Sequence, residues 1–134
     1  MPKELTHAEF QALLDELEAL FSACKYEEAI KKAFSENISF YSASGHGQGH
    51  DDLLKLYEEY GPKPHHKVQL EFEIIDFRPY AGGSGVTVAT SVVGWSTTRN
   101  GLADARGRTF LVLILSDDRE RILIDQDIGI RPTQ

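Results

Sequence analysis

Apolar and polar residues follow two different periods along this chain, and the change between them divides it. Phe10, Leu13, Leu14, Leu17, Leu20 and Phe21 recur at helical spacing against Gln11, Asp15, Glu16 and Glu18, which predicts an amphipathic helix of about four turns. Thr6 followed by Glu9 supplies its start, as hydroxyl and carboxylate satisfy backbone N–H groups there. Tyr26, Ala29, Ile30, Ala33 and Phe34 predict a second, shorter helix. Asn37–Tyr41 moves to a period of two, with Ile38 and Phe40 on one side and Ser39 and Tyr41 on the other, as in a short strand. Ser42–Gly49 reads as a glycine-rich loop. A third helix follows, with Asp51 or Asp52 at its start, Leu53, Leu54, Tyr57 and Tyr60 on its apolar side, and Gly61-Pro62 as its stop.

From Val68 to Ile130 the chain is strand-like in four segments, broken by turns at Ala81–Gly85, around Asn100-Gly101 and at Ser116–Arg119. Val68, Leu70, Phe72 and Ile74 alternate with Gln69, Glu71 and Glu73 until the phase slips to Ile75 and Phe77; a β-bulge produces such a slip and bends a sheet. Val86–Ser96 places Val86, Val88 and Val92 on one side and Val93 and Trp95 on the other, and Asn100-Gly101 suits a tight hairpin turn. Thr109–Leu115 is apolar without alternation, which predicts a central strand covered on both faces. Helices cover one face, so a homodimer is expected through the other. In the last segment Ile122, Ile124, Gln126, Ile128 and Ile130 share one face and Leu123, Asp125, Asp127 and Gly129 the opposite one. The expected architecture is α+β: three N-terminal helices packed on a strongly curved, mainly antiparallel sheet. No repeat or linker divides the chain, so residues 1–134 are expected to form one domain.

Composition narrows the partners. The apolar fraction of 41% and charged fraction of 26% are those of a globular domain, and no apolar run approaches the roughly 18 residues of a membrane span. The net charge of −7, without a cluster of Lys and Arg, argues against nucleic acid. Cys24 is the single cysteine, which excludes an intrachain disulfide and reads as a buried, inert thiol. The opening Met-Pro-Lys-Glu-Leu-Thr-His has no apolar segment or cleavage site, so a soluble cytoplasmic protein is expected.

The order of two helices, a short strand, a third helix and four long antiparallel strands resembles the NTF2-like superfamily, especially its SnoaL-like branch. The strand Ile38–Tyr41 running into a glycine-rich loop and the helix Asp51–Tyr60, the bent strand Val68–Phe77 and the ending Arg-Ile-Leu-Ile-Asp-Gln-Asp-Ile carry the likeness. It implies a cone, in which the curved sheet wraps the helices and leaves a mainly apolar pocket at the open end, and dimerisation through the outer sheet face. It also implies a choice between small-molecule chemistry without a cofactor, of isomerase, cyclase, dehydratase or hydrolase type, and a non-catalytic association module of the same fold. Arg121 and Asp125 stand where such relatives often carry an aromatic residue and a histidine.

Asp125 and Asp127 are the candidate acid/base groups. A carboxylate among apolar neighbours has a raised pKa and can take a proton from carbon next to a carbonyl; Asp125 comes first because it lies deeper in the strand. Solvation or pairing with Arg78, Arg106 or Arg108 is the plainer reading. His50, at the start of the third helix, can orient or protonate a ligand at the cone mouth. His46 and His50 sit in a loop with no third ligand at defined spacing, so no metal is expected, and no cofactor either. Tyr41, Tyr57 and Trp95 each present an apolar body and one polar tip to an organic ligand, with Asp127 beside them. Asp76 and Arg78 read as an ion pair or as polar groups of the cavity.

Overall fold

The structure is a computed structural model that describes residues 5–80, 87–118 and 120–130. Its elements run α1 (His7–Ser22), α2 (Tyr26–Ala33), β1 (Phe34–Ser42), β2 (Gly45–Gln48), α3 (Gly49–Tyr60), β3 (Val68–Pro79), β4 (Thr87–Arg99), β5 (Leu102–Leu115) and β6 (Ile122–Ile130). The strands form one sheet in the order β2-β1-β6-β5-β4-β3. Every neighbouring pair is antiparallel except β1 and β6, which run parallel, so the sheet is mixed and mainly antiparallel. The turn expected at Ala81–Gly85, together with Val86 and Arg119, lies outside the described residues.

Local chemistry sets most boundaries. Thr6 accepts from the Glu9 N–H at 3.2 Å and its hydroxyl donates to Glu9 Oε1 at 3.2 Å, which caps α1. Phe10, Leu14, Leu17 and Phe21 form the buried stripe of α1; complete burial of a side chain such as Phe10 contributes about 1.5–3 kcal/mol. Phe34, expected in the stripe of α2, is extended at φ −112 and ψ 142 and opens β1. Asn100 and Gly101 both have positive φ, 52° and 82°, and close the β4–β5 hairpin in two residues.

The glycine-rich segment is a strand where a loop was expected. Gly45–Gln48 pairs with β1, Phe40 opposite Gly47 and Tyr41 opposite His46. Glycine is needed at position 47, because a Cβ there would sit 2.8 Å from the Phe40 ring and 2.9 Å from Asp52. That need replaces the β-propensity by which strands are usually recognised. Asp52 accepts from the Gln48 N–H at 3.0 Å, just before α3.

Register shifts decide which residues face the helices. In β3 the shift between Ile74 and Asp76 leaves Ile75 as the extra residue, so Phe77 returns inward to stack on Phe10 at 5.7 Å while Ile75 is 43% exposed. A bulge of this kind bends the sheet around the helices. The β3 edge is closed by α1, whose Ser22 Oγ and Glu18 Oε1 accept from the Leu70 and Phe72 N–H groups at 2.9 and 2.6 Å. β5 is covered on one face only: Thr109, Leu111 and Leu113 are buried, whereas Phe110, Val112 and Ile114 on the outer face are half-buried. Among the described residues the helices cover one face of β5, and the second cover read from the unbroken apolar run is not supplied by them.

Candidate functional site

The face assignment of β6 needs correction, and the site follows from it. Leu113 lies opposite Ile124, but Leu111, two residues on, lies opposite Asp127. Asp125 is the extra residue of a bulge, so Asp127 shares its face with Ile124 and not with Asp125. Asp127 therefore faces inward with the buried Thr109 and Leu111 of β5. The Thr109 hydroxyl donates to Asp127 Oδ1. Burial pushes the Asp127 carboxyl above the usual carboxylate range, and the Thr109 bond opposes that shift without cancelling it. No arginine or lysine pairs with Asp127 among the described residues.

Two of the expected ligand residues lie toward the same interior. Tyr57, on α3, is stacked with Tyr26 at 5.4 Å and lies 4.9 Å from the ring of Phe21. Burial raises its phenol, with the charges of Asp127 and Tyr26 adding to the effect. Trp95 is opposite Phe72 on one side and Gly107 on the other. Its ring lies over Gly107, where a Cβ would come within 2.6 Å of it. Among the described residues neither the Tyr57 hydroxyl nor the Trp95 indole N–H has a hydrogen-bond partner. Every buried polar side-chain atom of the described residues has one, so these two tips open onto accessible space.

The other expected residues are held elsewhere. Asp125 accepts from the buried Ser35 hydroxyl at 2.8 Å. His50 Nε2 lies 2.9 Å from the Phe34 carbonyl, to which it donates, joining the start of α3 to the start of β1. Tyr41 is 62% exposed on the outside of the sheet, its ring 5.7 Å from that of His46; the pattern that turns Ile38 and Phe40 inward turns Tyr41 out. His46 and His50 do not converge, and no group of three metal-ligating side chains occurs among the described residues. Asp76 and Arg78 form an ion pair at 2.9 Å on the exposed side. Thr109 was missed in the sequence reading. The signal for it was a hydroxyl inside an apolar central strand, since a buried hydroxyl requires a partner.

Among the described residues, one surface depression of about 480 Å³ is lined by Cys24–Glu28 with Lys31 and another of the same volume by Glu36, Gln48, Gly49, His50, Asp51 and Asp52. Neither is the apolar pocket expected inside the cone. Phe10, Leu14, Leu17, Phe21, Ile38, Phe40, Leu111, Leu113 and Ile124 belong to one buried cluster that fills much of that interior. No helix among the described residues is long and apolar enough to cross a membrane.

No family model matches the sequence, and no curated protein does. Solved structures match closely in shape. An NTF-2 like protein of unknown function from Shewanella oneidensis shares 20% identity at a TM-score of 0.73, covering 91% of this chain and 96% of that one. A domain of unknown function with a cystatin-like fold from Nostoc punctiforme shares 17% at 0.72, covering 97% and 81%. A ketosteroid isomerase-like protein from Erwinia carotovora shares 14% at 0.66, covering 93% and 96%. At these identities the likeness is one of shape, and it extends over nearly the whole chain: the fold is the NTF2-like, cystatin-like α+β cone.

Proposed function

We propose that this chain binds a small organic molecule at the open end of the cone and that Asp127 exchanges a proton with it. The observation that carries the reading is the convergence on Asp127, a desolvated carboxyl with a hydroxyl donor and no cation. Tyr57 lies near enough for their charges to interact, and its hydroxyl is unpartnered. A carboxyl in such surroundings is suited to acid/base work near neutral pH. The Tyr57 hydroxyl and the Trp95 N–H are donors for a ligand oxygen, and the Trp95 face is a surface for an apolar body. A ketosteroid isomerase-like protein among the structural neighbours is in keeping with proton transfer on an organic substrate without a cofactor. In this reading Asp125 and His50 are positioning residues. Asp125 with Ser35 holds the bulge that turns Asp127 inward, and His50 ties down the helix that carries Tyr57.

The filled interior favours a second reading, a non-catalytic association module in which the outer sheet face does the work. A thermal-shift screen with hydrophobic ketones, lactones and aromatic acids separates the two. Binding at the cone predicts stabilisation by one class that Asp127→Asn and Tyr57→Phe each reduce. Stabilisation that both variants leave intact, or no stabilisation by any compound, moves the case to the second reading.

A further inference from the structure

Lys63-Pro64-His65-His66-Lys67 gathers basic side chains into one short stretch of a chain whose net charge is −7. The stretch joins α3 to β3 through a 3₁₀ turn over Pro64–His66, and a histidine side chain closes that turn. His66 Nδ1 accepts from the Lys63 N–H at 3.1 Å, while the His66 N–H donates to the Lys63 carbonyl at 2.9 Å. The neutral ring therefore carries its proton on Nε2, because a nitrogen that accepts cannot also hold a hydrogen. Lys67 follows in the left-handed conformation, φ 49° and ψ 50°, which is strained for a residue with a side chain. Two bonds hold it there: its N–H donates to the Pro64 carbonyl at 3.3 Å, and its carbonyl accepts from the Asn100 N–H at 3.4 Å at the tip of the β4–β5 hairpin. At the other end of the connection the Pro62 carbonyl accepts from the Tyr26 hydroxyl and the Cys24 thiol, and the Gly61 N–H donates to the Tyr57 carbonyl at 2.7 Å. Residues 61–67 thus tie the start of α2, the end of α3 and the hairpin tip together.

We propose that His66 is an acid-sensitive latch: with its ring neutral it closes the turn between α3 and β3, and on protonation it releases that turn. An imidazolium carries a hydrogen on each nitrogen and has no acceptor, so the Lys63 N–H loses its partner and faces another N–H. The surroundings favour the neutral ring. Desolvation lowers the His66 pKa below the ordinary histidine value, and the charges of His65, Arg99 and Lys63 lower it further, with Asp104 acting the other way. Asp104 is engaged by Arg99 at 3.8 Å, and no carboxylate pairs with His66 among the described residues. The His65 ring lies 4.1 Å from that of His66, so a second proton there adds to the repulsion. Because the folded pKa lies below the unfolded one, the stability that the latch contributes is present above the unfolded value and is lost as pH falls through the folded value. What opens is local: the strained Lys67 with its hold on the hairpin tip, and the end of α3, where the Glu58 carbonyl accepts from Lys63 Nζ.

An NMR titration of the intact chain from pH 8 to pH 4.5 tests the latch. The His66 ring signals should give a midpoint below the ordinary histidine value, and the Lys63 amide should shift with that same midpoint. Protection of the Lys63, Lys67 and Asn100 amides against exchange should fall about two- to tenfold through it, the range that one hydrogen bond supports. His66→Asn sets Oδ1 where Nδ1 stands, an acceptor that does not titrate, so it should keep the closed turn at pH 8 and abolish the transition. His66→Ala should show the open turn at every pH. Arg99→Gln removes a neighbouring cation and frees Asp104, so it should raise the midpoint. A Lys63 amide that ignores the titration of His66, a transition that persists in His66→Asn, or a midpoint that Arg99→Gln leaves unmoved would overturn the proposal. Circular dichroism at pH 8 shows which variants are folded; should His66→Ala fail to fold, His66→Asn and Arg99→Gln carry the test by themselves.

Discussion

Replacing Thr109 with valine deletes one hydroxyl from the inner face and keeps a β-branched side chain in the strand. That hydroxyl donates to Asp127 and is what holds the carboxyl down while burial pushes it up. A hydrogen bond to an ionised group contributes about 1.5–3 kcal/mol and one between neutral groups about 0.5–1.5 kcal/mol, so the cost of the substitution depends on whether Asp127 is charged. The direction with pH follows from linkage. Unfolded aspartate titrates near ~3.9, and folded Asp127 holds its proton to higher pH. Its contribution to stability is fully present below the unfolded value and is lost as pH rises through the interval up to the folded one. Thr109→Val widens that interval and deepens the loss. Its cost should therefore grow from about 0.5–1.5 kcal/mol near pH 4 to about 1.5–3 kcal/mol on the alkaline side. Tm should fall by roughly 3–5 °C per kcal/mol in a chain of this length. Asp127→Asn keeps an oxygen that accepts from Thr109 but cannot ionise, so it should remove this part of the pH dependence and be more stable than wild type on the alkaline side. Urea unfolding of the three proteins from pH 4 to pH 8.5 measures both effects. A Thr109→Val cost that stays constant across the range, or an Asp127→Asn variant that keeps the wild-type slope, would refute an inward, desolvated Asp127.

Substitutions at three further places test the frame around the site. Gly47→Ala should destabilise by about 1–3 kcal/mol, because its Cβ meets the Phe40 ring at 2.8 Å and Asp52 at 2.9 Å in a packed corner; chemical denaturation would show it. Gly101→Ala meets no atom within 4 Å, so its cost of about 1–2 kcal/mol should come from the positive φ alone. Gly101→Asn should recover much of that cost, because asparagine tolerates this conformation. Glu18→Ala combined with Ser22→Ala uncovers two N–H groups on the β3 edge. Amide exchange at Leu70 and Phe72 should accelerate, and light scattering on heating should begin at a lower temperature than in wild type.

The sequence disclosed the fold where side chains and backbone demand the same thing. Thr6 and Glu9 announce α1 and Asn100-Gly101 announces the hairpin, and in each case the residues that carry the signal make the contacts. The bulge in β3 was legible for a related reason: Ile74, Ile75 and Phe77 shift the apolar phase, and the buried face has to follow it. The bulge in β6 left no such trace. Ile122 to Ile128 alternates without a slip, and the extra residue is an aspartate whose partner, Ser35, is 90 residues earlier in the chain. A polar residue at a bulge breaks no apolar pattern, so pairing with distant strands alone decides which aspartate turns inward.

That distinction bears on the choice of candidate residues. Tyr41 was chosen because it leaves β1 where the glycine-rich segment begins, and Asp125 because it lies deeper in the last strand than Asp127; alternation turns Tyr41 outward, and the bulge sets Asp125 against Ser35. The period of two had already set Tyr41 opposite Ile38 and Phe40, and a pattern tied to burial outranks one tied to an imagined cavity. Tyr57 and Asp127 differ in that each is desolvated by residues from other elements: Phe21 and Tyr26 around Tyr57, Thr109 and Leu111 beside Asp127. Desolvation of a polar group costs stability that packing must offset, and Asp127 carries that cost inside the fold, near enough to Tyr57 for their charges to interact. Replacing them together with Thr109 by apolar residues of similar size, Tyr57→Phe, Thr109→Val and Asp127→Leu, leaves no buried hydroxyl without its acceptor and should therefore raise the melting temperature at neutral pH. If that triple variant melts below wild type instead, Thr109 and Asp127 are a structural hydrogen-bonding unit, and the site must be sought elsewhere on the cone.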